Sequence, residues 1–208
     1  MTEPAPICDQ PGDLPVSHSR TVHQGAVFDL VSEQVDLGSA GVVQREFLSH
    51  PGAVAILALD ERERVAMVHQ YRHPVRSYLW EIPAGLLDVP GETRLAAAQR
   101  ELAEEADLRA EDWHTLLDFY TTPGGSNEPI RIFLARGLHQ VPRDQRHQRE
   151  AEELEMTVRW VDLDEAVAAV LAGRIHNSSA AAGLLAAAAA RTTQWQALRP
   201  AGADWHLA

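Results

Sequence analysis

Three glutamates within five positions, Glu101, Glu104 and Glu105, are the residues in this chain whose types and spacing best suit them to chemistry. On a helix, at 100° per residue, Glu101 and Glu105 stand one turn apart on one edge, with Glu104 on the adjoining flank. Leu95, Ala98, Leu102 and Ala106 fall on the opposite side and form an apolar stripe. Such an acidic ridge works against its own helix. Like charges at i, i+4 cost about 0.2–0.5 kcal/mol per pair, and carboxylates in the last turn meet the negative end of the helix dipole at about 0.3–1 kcal/mol each. A hard divalent cation such as Mg2+ reverses both signs, because it takes oxygen ligands from a few carboxylates and from phosphate oxygens. The simpler reading is a solvated acidic face with Arg100 and Glu104 paired at i, i+4. What surrounds the ridge decides between the two.

A Gly- and Pro-rich loop (residues 85–92) delivers the chain to this helix, expected over 93–106. Before it, residues 52–59 (GAVAILAL) form a continuous apolar run, as for a central strand buried on both faces. Residues 64–71 follow a charged turn and read as its hairpin partner, and 79–82 as a short strand leading to the loop. After the helix, strands are expected over 113–121, 130–135 and 157–161. Asp162 with Glu165 forms a capping box for a helix at 163–172, which Gly173 ends. Asn177 caps a last helix reaching about residue 191. Residues 143–155 are acidic and Gln-rich, which suits a flexible loop. Upstream, residues 17–49 contain three short strand-like stretches broken by a turn at 38–41. Three such strands make no core alone and must pack on the main domain or on a second subunit. The expected organisation is a disordered tail at 1–16, a strand region at 17–50, the main domain at 51–192 and a loose tail at 193–208. Strands interleaved with three helices imply an α/β sandwich around a mixed sheet.

Composition narrows the function. With 208 residues, 45% hydrophobic content and a net charge of −12, the chain reads as a soluble globular protein of one domain with a small appendage. No apolar run reaches the roughly 18 residues of a membrane span, and the N-terminus has neither a basic nor an apolar signal region. Cys8 is the only cysteine, which excludes an internal disulfide and a multi-Cys zinc site and fits a reducing cytoplasm. All 18 basic side chains are arginine. A P-loop, a Schiff-base enzyme and a kinase each need lysine and are excluded. The acidic balance argues against nucleic acid and leaves a small phosphate-bearing ligand, provided that metal and local arginines offset the field.

Residues 85–108 resemble the Nudix box, G-x5-E-x7-R-E-U-x-E-E-x-G-U with U aliphatic. Gly85 matches the first Gly, Glu92 the first Glu, and Arg100, Glu101, Leu102, Glu104, Glu105 and Leu108 the remainder in register. The loop is longer by one residue, and Asp107 stands where the family has a Gly suited to positive φ, which Asp also tolerates. The sequence YRHPVRSYLWEIPAGLLD before the box and TTPGGSNEP at 121–129 resemble the ADP-ribose pyrophosphatase branch more specifically. The resemblance implies a Nudix-type α/β/α sandwich around a mixed β-sheet, with an N-terminal β-strand region that builds a homodimer.

It also implies hydrolysis of ADP-ribose, or a related nucleoside diphosphate sugar, to AMP and ribose 5-phosphate in the cytoplasm, with Mg2+ as cofactor and Mn2+ as a second candidate. Water would attack a phosphorus of the pyrophosphate, while metal neutralises charge and acidifies that water. Glu101 and Glu105 are the first ligand candidates, with Glu104 sharing. The residue before the opening Gly, Ala84, supplies a backbone carbonyl in the family. Arg100 would hold the glutamates by charge-assisted hydrogen bonds. By family position the general base is Glu152, with Glu153 as substitute. For substrate, Arg72 suits a bidentate phosphate contact, and Glu81 and Glu128 suit adenine or ribose donors. Phe28 and Arg45 lie in the strands with which the family holds adenine. Rival readings are a Nudix hydrolase for NADH or ADP-glucose and a non-catalytic nucleotide-sensing module.

Overall fold

The computed structural model describes residues 7–148 and 156–207. Its core is the expected continuous apolar run: β4 (Ala53–Ala58) is buried at every position. It pairs in parallel with β9 (Pro129–Gln140) and antiparallel with β7 (Ala84–Leu86), which fixes the layer between helices. β8 (Leu108–Tyr120) and a short β11 (Arg199–Pro200) complete a five-stranded mixed sheet in the order β11-β8-β9-β4-β7. A second sheet runs β10-β5-β6, from β10 (Thr157–Asp162), β5 (Arg64–Arg72) and β6 (Ser77–Glu81).

Residues 64–71 are therefore not the hairpin partner of 52–59. The two strands share a single bridge, Leu59 to Val65, and then separate into different sheets. β4 and residues 65–68 of β5 are apolar on both faces, and placing them in separate layers lets each be covered on two sides.

The helices lie on opposite sides of this framework. α1 (Arg94–Ala106) covers one face, where Ala98, Leu102 and Ala106 pack with Val54, Ile56 and Phe133. On the other, α2 (Leu163–Leu171) and α3 (Ser178–Thr192) pack on Leu57, Met67 and Ile132. The caps are as the residue types demand. Thr93 accepts from the Ala96 N–H, Asp162 from those of Asp164 and Glu165, and Asn177 from that of Ala180; each such cap contributes about 1 kcal/mol.

β8 and β9 form one long hairpin, paired from Tyr120–Pro129 to Leu108–Gln140, so both outrun the expected 113–121 and 130–135. Their outer halves carry exposed polar residues such as Arg109, Glu111 and His139, which hide a strand from hydrophobic patterning. The end of the chain also departs from expectation. Residues 193–208 were expected as a loose tail, yet β11 pairs with β8 and Trp205 is buried. Long-range pairing provides the reason: Arg131 is 3% exposed, holds both oxygens of Asp118 and donates to the Ala203 carbonyl, while Arg199 also reaches Asp118.

β1 (Val16–Gln24), β2 (Asp29–Asp36) and β3 (Val42–Ser49) form a separate antiparallel sheet. Every residue of β1 is exposed, and Val16, Val22, Phe28 and Val42 leave apolar surface uncovered. The sheet is tied to the main body through Leu48, whose N–H donates to the Gly125 carbonyl and whose carbonyl accepts from Asn127. No described helix is long and apolar enough to cross a membrane.

Candidate active site

The box loop and α1 meet at Gly85. A Cβ there would lie 2.5 Å from Glu101 Cγ and closer still to its carboxyl group. Glycine is required for close approach, since the carboxylate occupies the space a side chain would need. One turn on, Glu105 is 6% exposed and accepts a 2.9 Å hydrogen bond from the Ala84 backbone N–H. The acidic ridge therefore faces the loop and β7, not solvent. The side chains of Glu101 and Glu104 are 12% and 27% exposed.

Arg100 is the hub. Its Nη1 donates to Glu101 at 2.5 Å and to Glu104 at 3.1 Å, while Nε and Nη2 take both oxygens of Glu92 at 3.1 and 3.0 Å. These charge-assisted bonds, first among them those donated to Glu92, hold the guanidinium protonated far above its ordinary range. In return, the Arg100 hydrogen bonds lower the pKa of Glu92. Glu92, Glu101 and Glu104 share one guanidinium beside Glu105, which gathers negative charge in a partly buried place. Removing this charge from water is costly unless a cation joins it.

The donor set suits such an ion. All of its oxygens are hard ligands, and two carboxylates already converge on one point at Arg100 Nη1. Among the described residues no three His, Cys, Asp or Glu side chains yet converge as a ready-made cage. A cation would thus recruit the ridge together with other oxygens, as a Mg2+ bound with phosphates does.

Asp107 ends α1 at φ 55°, ψ 34°, the left-handed conformation for which the family keeps Gly. Its N–H donates to the Leu102 carbonyl, its own carbonyl accepts from Val141, and its carboxylate lies 3.6 Å from Arg146. The substitution is accommodated, and the glutamates of the last turn keep their helical register.

The remaining sequence candidates fall into three groups. Arg72 and Glu81 are brought together as a bidentate pair at 2.9 and 2.7 Å, with Gln70 also donating to the buried Glu81. The guanidinium fork expected to take a phosphate thus holds a carboxylate instead. Glu128 accepts from the Thr121 hydroxyl at 2.6 Å and lies 3.7 Å from His50, whose Nδ1 accepts from the Gly52 N–H. Phe28 lies 6.4 Å from the same imidazole. Arg45 lines a cleft of about 490 Å³ between the N-terminal sheet and the 123–127 loop, alongside Glu33, Phe47 and Tyr120. Glu152 and Glu153 lie outside the described residues.

Two contacts of the candidate residues, Glu92 with Arg100 and His50 with Glu128, were not read from the sequence. Glu92 matched the box, but its hold on Arg100 across eight residues was not read. His50 carried no signal, because the ten histidines show no ligand spacing.

Comparison with known proteins identifies the family. The family model for the NUDIX domain matches residues 49–181. An ADP-ribose pyrophosphatase of Mycobacterium tuberculosis is 46% identical over 193 residues, covering 93% of this chain and 91% of that protein. An ADP-ribose pyrophosphatase of Bacillus subtilis is 36% identical over 160 residues, covering 77% and 84%. A crystal structure described as an ADP compounds hydrolase superposes with a TM-score of 0.71 over 90% of this chain and 98% of that one; at 21% identity it speaks for the fold alone. With the box residues in register and gathered at one loop–helix junction, this chain is a member of the Nudix hydrolase family.

Proposed function

We propose that this protein hydrolyses ADP-ribose to AMP and ribose 5-phosphate. The observation that carries the reading is the junction at Gly85, where Glu101 is pressed against the backbone, Glu105 is tied to Ala84, and Arg100 gathers Glu101 and Glu104. The two curated relatives named for this activity support the choice of substrate. Members of this family depend on a metal, and Mg2+ is the proposed ion, with Mn2+ as an alternative. When bound, the cation offsets phosphate charge and lowers the pKa of the attacking water.

Glu101, Glu104, Glu105 and the Ala84 carbonyl are the proposed ligands. Arg100 orients the carboxylates through charge-assisted hydrogen bonds. Glu152, with Glu153 as its substitute, is the proposed base that takes the proton of the attacking water. Arg72 and Glu81 enter as one recognition unit, with Glu81 orienting the guanidinium toward the substrate. Glu128 accepts from an adenine or ribose donor, and Phe28 and Arg45 flank the base. The uncovered face of the N-terminal sheet is the proposed homodimer contact, and the cytoplasm the proposed compartment.

A panel of ADP-ribose, ADP-glucose and NADH compared by kcat/KM tests the assignment. The expected order places ADP-ribose first, and a preference for either of the others replaces it. Titration with Mg2+ while AMP is measured separates hydrolase from sensor. Absence of turnover at every concentration would favour a nucleotide-sensing module.

A further inference from the structure

The end of the chain, outside the span of the family model, is built into the body beside the start of the box helix. Trp205 is 7% exposed. Its indole lies under the guanidinium of Arg94 at 5.6 Å and that of Arg131 at 6.0 Å, with Tyr120 at 5.6 Å on β8. Arg94 is the first residue of α1, adjoining the cap Thr93 and two residues from Glu92, which holds Arg100. Arg94 Nε is sealed from solvent and makes no hydrogen bond among the described residues, which leaves the aromatic face of Trp205 as its packing partner.

The segment that presents Trp205 is itself held rigidly. Arg131 donates to Asp118 and to the Ala203 carbonyl, and the Thr115 hydroxyl donates to the carbonyls of Pro200 and Ala201. Buried charge-assisted bonds of this kind fix geometry more firmly than apolar contact alone.

We propose that residues 199–205 form a strap that positions the box helix, and that Trp205 is the positioning residue through which it acts. The path is short: Trp205 locates Arg94, the first turn of α1 then locates Glu92, and Glu92 locates Arg100 and with it Glu101 and Glu104. Trp205 touches none of the reacting groups. This rests on the proposed role of the acidic ridge in binding metal.

The test uses the full chain with Trp205→Ala, Trp205→Phe and Arg94→Met. Three readouts are taken: hydrogen exchange of the α1 peptide, free Mn2+ by electron paramagnetic resonance, and kcat and KM for ADP-ribose. Partners that orient metal ligands typically change affinity or activity about 10–100-fold, and a group one step further out is expected to change them about 3–10-fold. Trp205→Ala should speed exchange in the first turn of α1, weaken Mn2+ binding by about 5-fold and lower kcat with KM within about twofold. Trp205→Phe should restore most of the loss, and Arg94→Met should repeat it at smaller size while leaving the strap docked. If Trp205→Ala lowers only the melting temperature, with α1 exchange and Mn2+ affinity within about twofold of the parent, the strap is a stability element and the proposal is wrong. Should Trp205→Ala fail to fold, Arg94→Met decides by the same two readouts. Absence of ADP-ribose turnover in the parent sinks the functional reading, while exchange and Mn2+ binding still decide the strap.

Discussion

Replacing Gly85 by Ala asks how closely the loop must approach the helix. The added Cβ would stand 2.5 Å from Glu101 Cγ, whereas ordinary contact begins at 3.4 Å, so the side chain must yield by about 0.9 Å at Cγ and by more at its carboxylate. Displacing the carboxylate from β7 gives up the 2.5 Å bond from Arg100. A charge-assisted bond of this kind contributes about 1.5–3 kcal/mol. Misplacing a reacting constellation by about 1 Å costs about 10²-fold in rate, or roughly 2.7 kcal/mol.

Stability should fall less, by about 1.5 kcal/mol, the low end of the range for a charge-assisted bond, because Glu101 can be resolvated. The expected outcome is a kcat/KM about 100-fold lower with a melting temperature only a few degrees lower. A double-mutant cycle sharpens the test. If Gly85 acts only through Glu101, Gly85→Ala placed on Glu101→Ala, which has no Cγ to displace, should cost nothing further. A Gly85→Ala enzyme within about threefold of the parent, or losses that multiply in the double mutant, would refute the argument from close approach.

Three further outcomes follow from the same geometry. Arg100→Met leaves Glu92, Glu101 and Glu104 without their common partner and should cost about 2 kcal/mol by urea denaturation at neutral pH; adding Mg2+ should recover part of that loss. Glu92 titrates below its ordinary value of 4.5, so its contribution is present above about pH 4.5 and disappears as pH falls through the lowered folded value. The melting temperatures of the parent and Glu92→Gln should accordingly differ at pH 7 and converge in acid. Asp118→Asn strips the buried Arg131 of its counter-charge and should cost about 3–5 kcal/mol, releasing the strap as judged by proteolysis beyond residue 198.

The box was legible because its chemistry restricts residue type and spacing together. Two helix caps, Asp162 and Asn177, and the left-handed Asp107 were legible for a related reason, since few side chains satisfy those positions. The separation of β4 from β5 was not. A strand buried on both faces carries no periodicity to say which neighbour it pairs with. The docked chain end was hidden for a different reason, because it depends on Asp118, Arg131 and Trp205, which lie far apart in sequence and have no local pattern. Within the site, the pairing of Arg100 with neighbouring glutamates was legible in the helical spacing, while the Arg72–Glu81 pair appeared as two separate candidates because only folding sets β5 against β6.

The central claim is that the acidic ridge of α1 holds the cation on which turnover depends. Its most direct test is Mn2+ binding by electron paramagnetic resonance in the parent, Glu101→Gln and Glu105→Gln proteins, with ADP-ribose turnover followed in the same samples. The account predicts tight binding and AMP release in the parent, and affinity and turnover each down at least about tenfold in both variants at an unchanged fold. Binding and turnover that survive in both variants would place the metal elsewhere and contradict it.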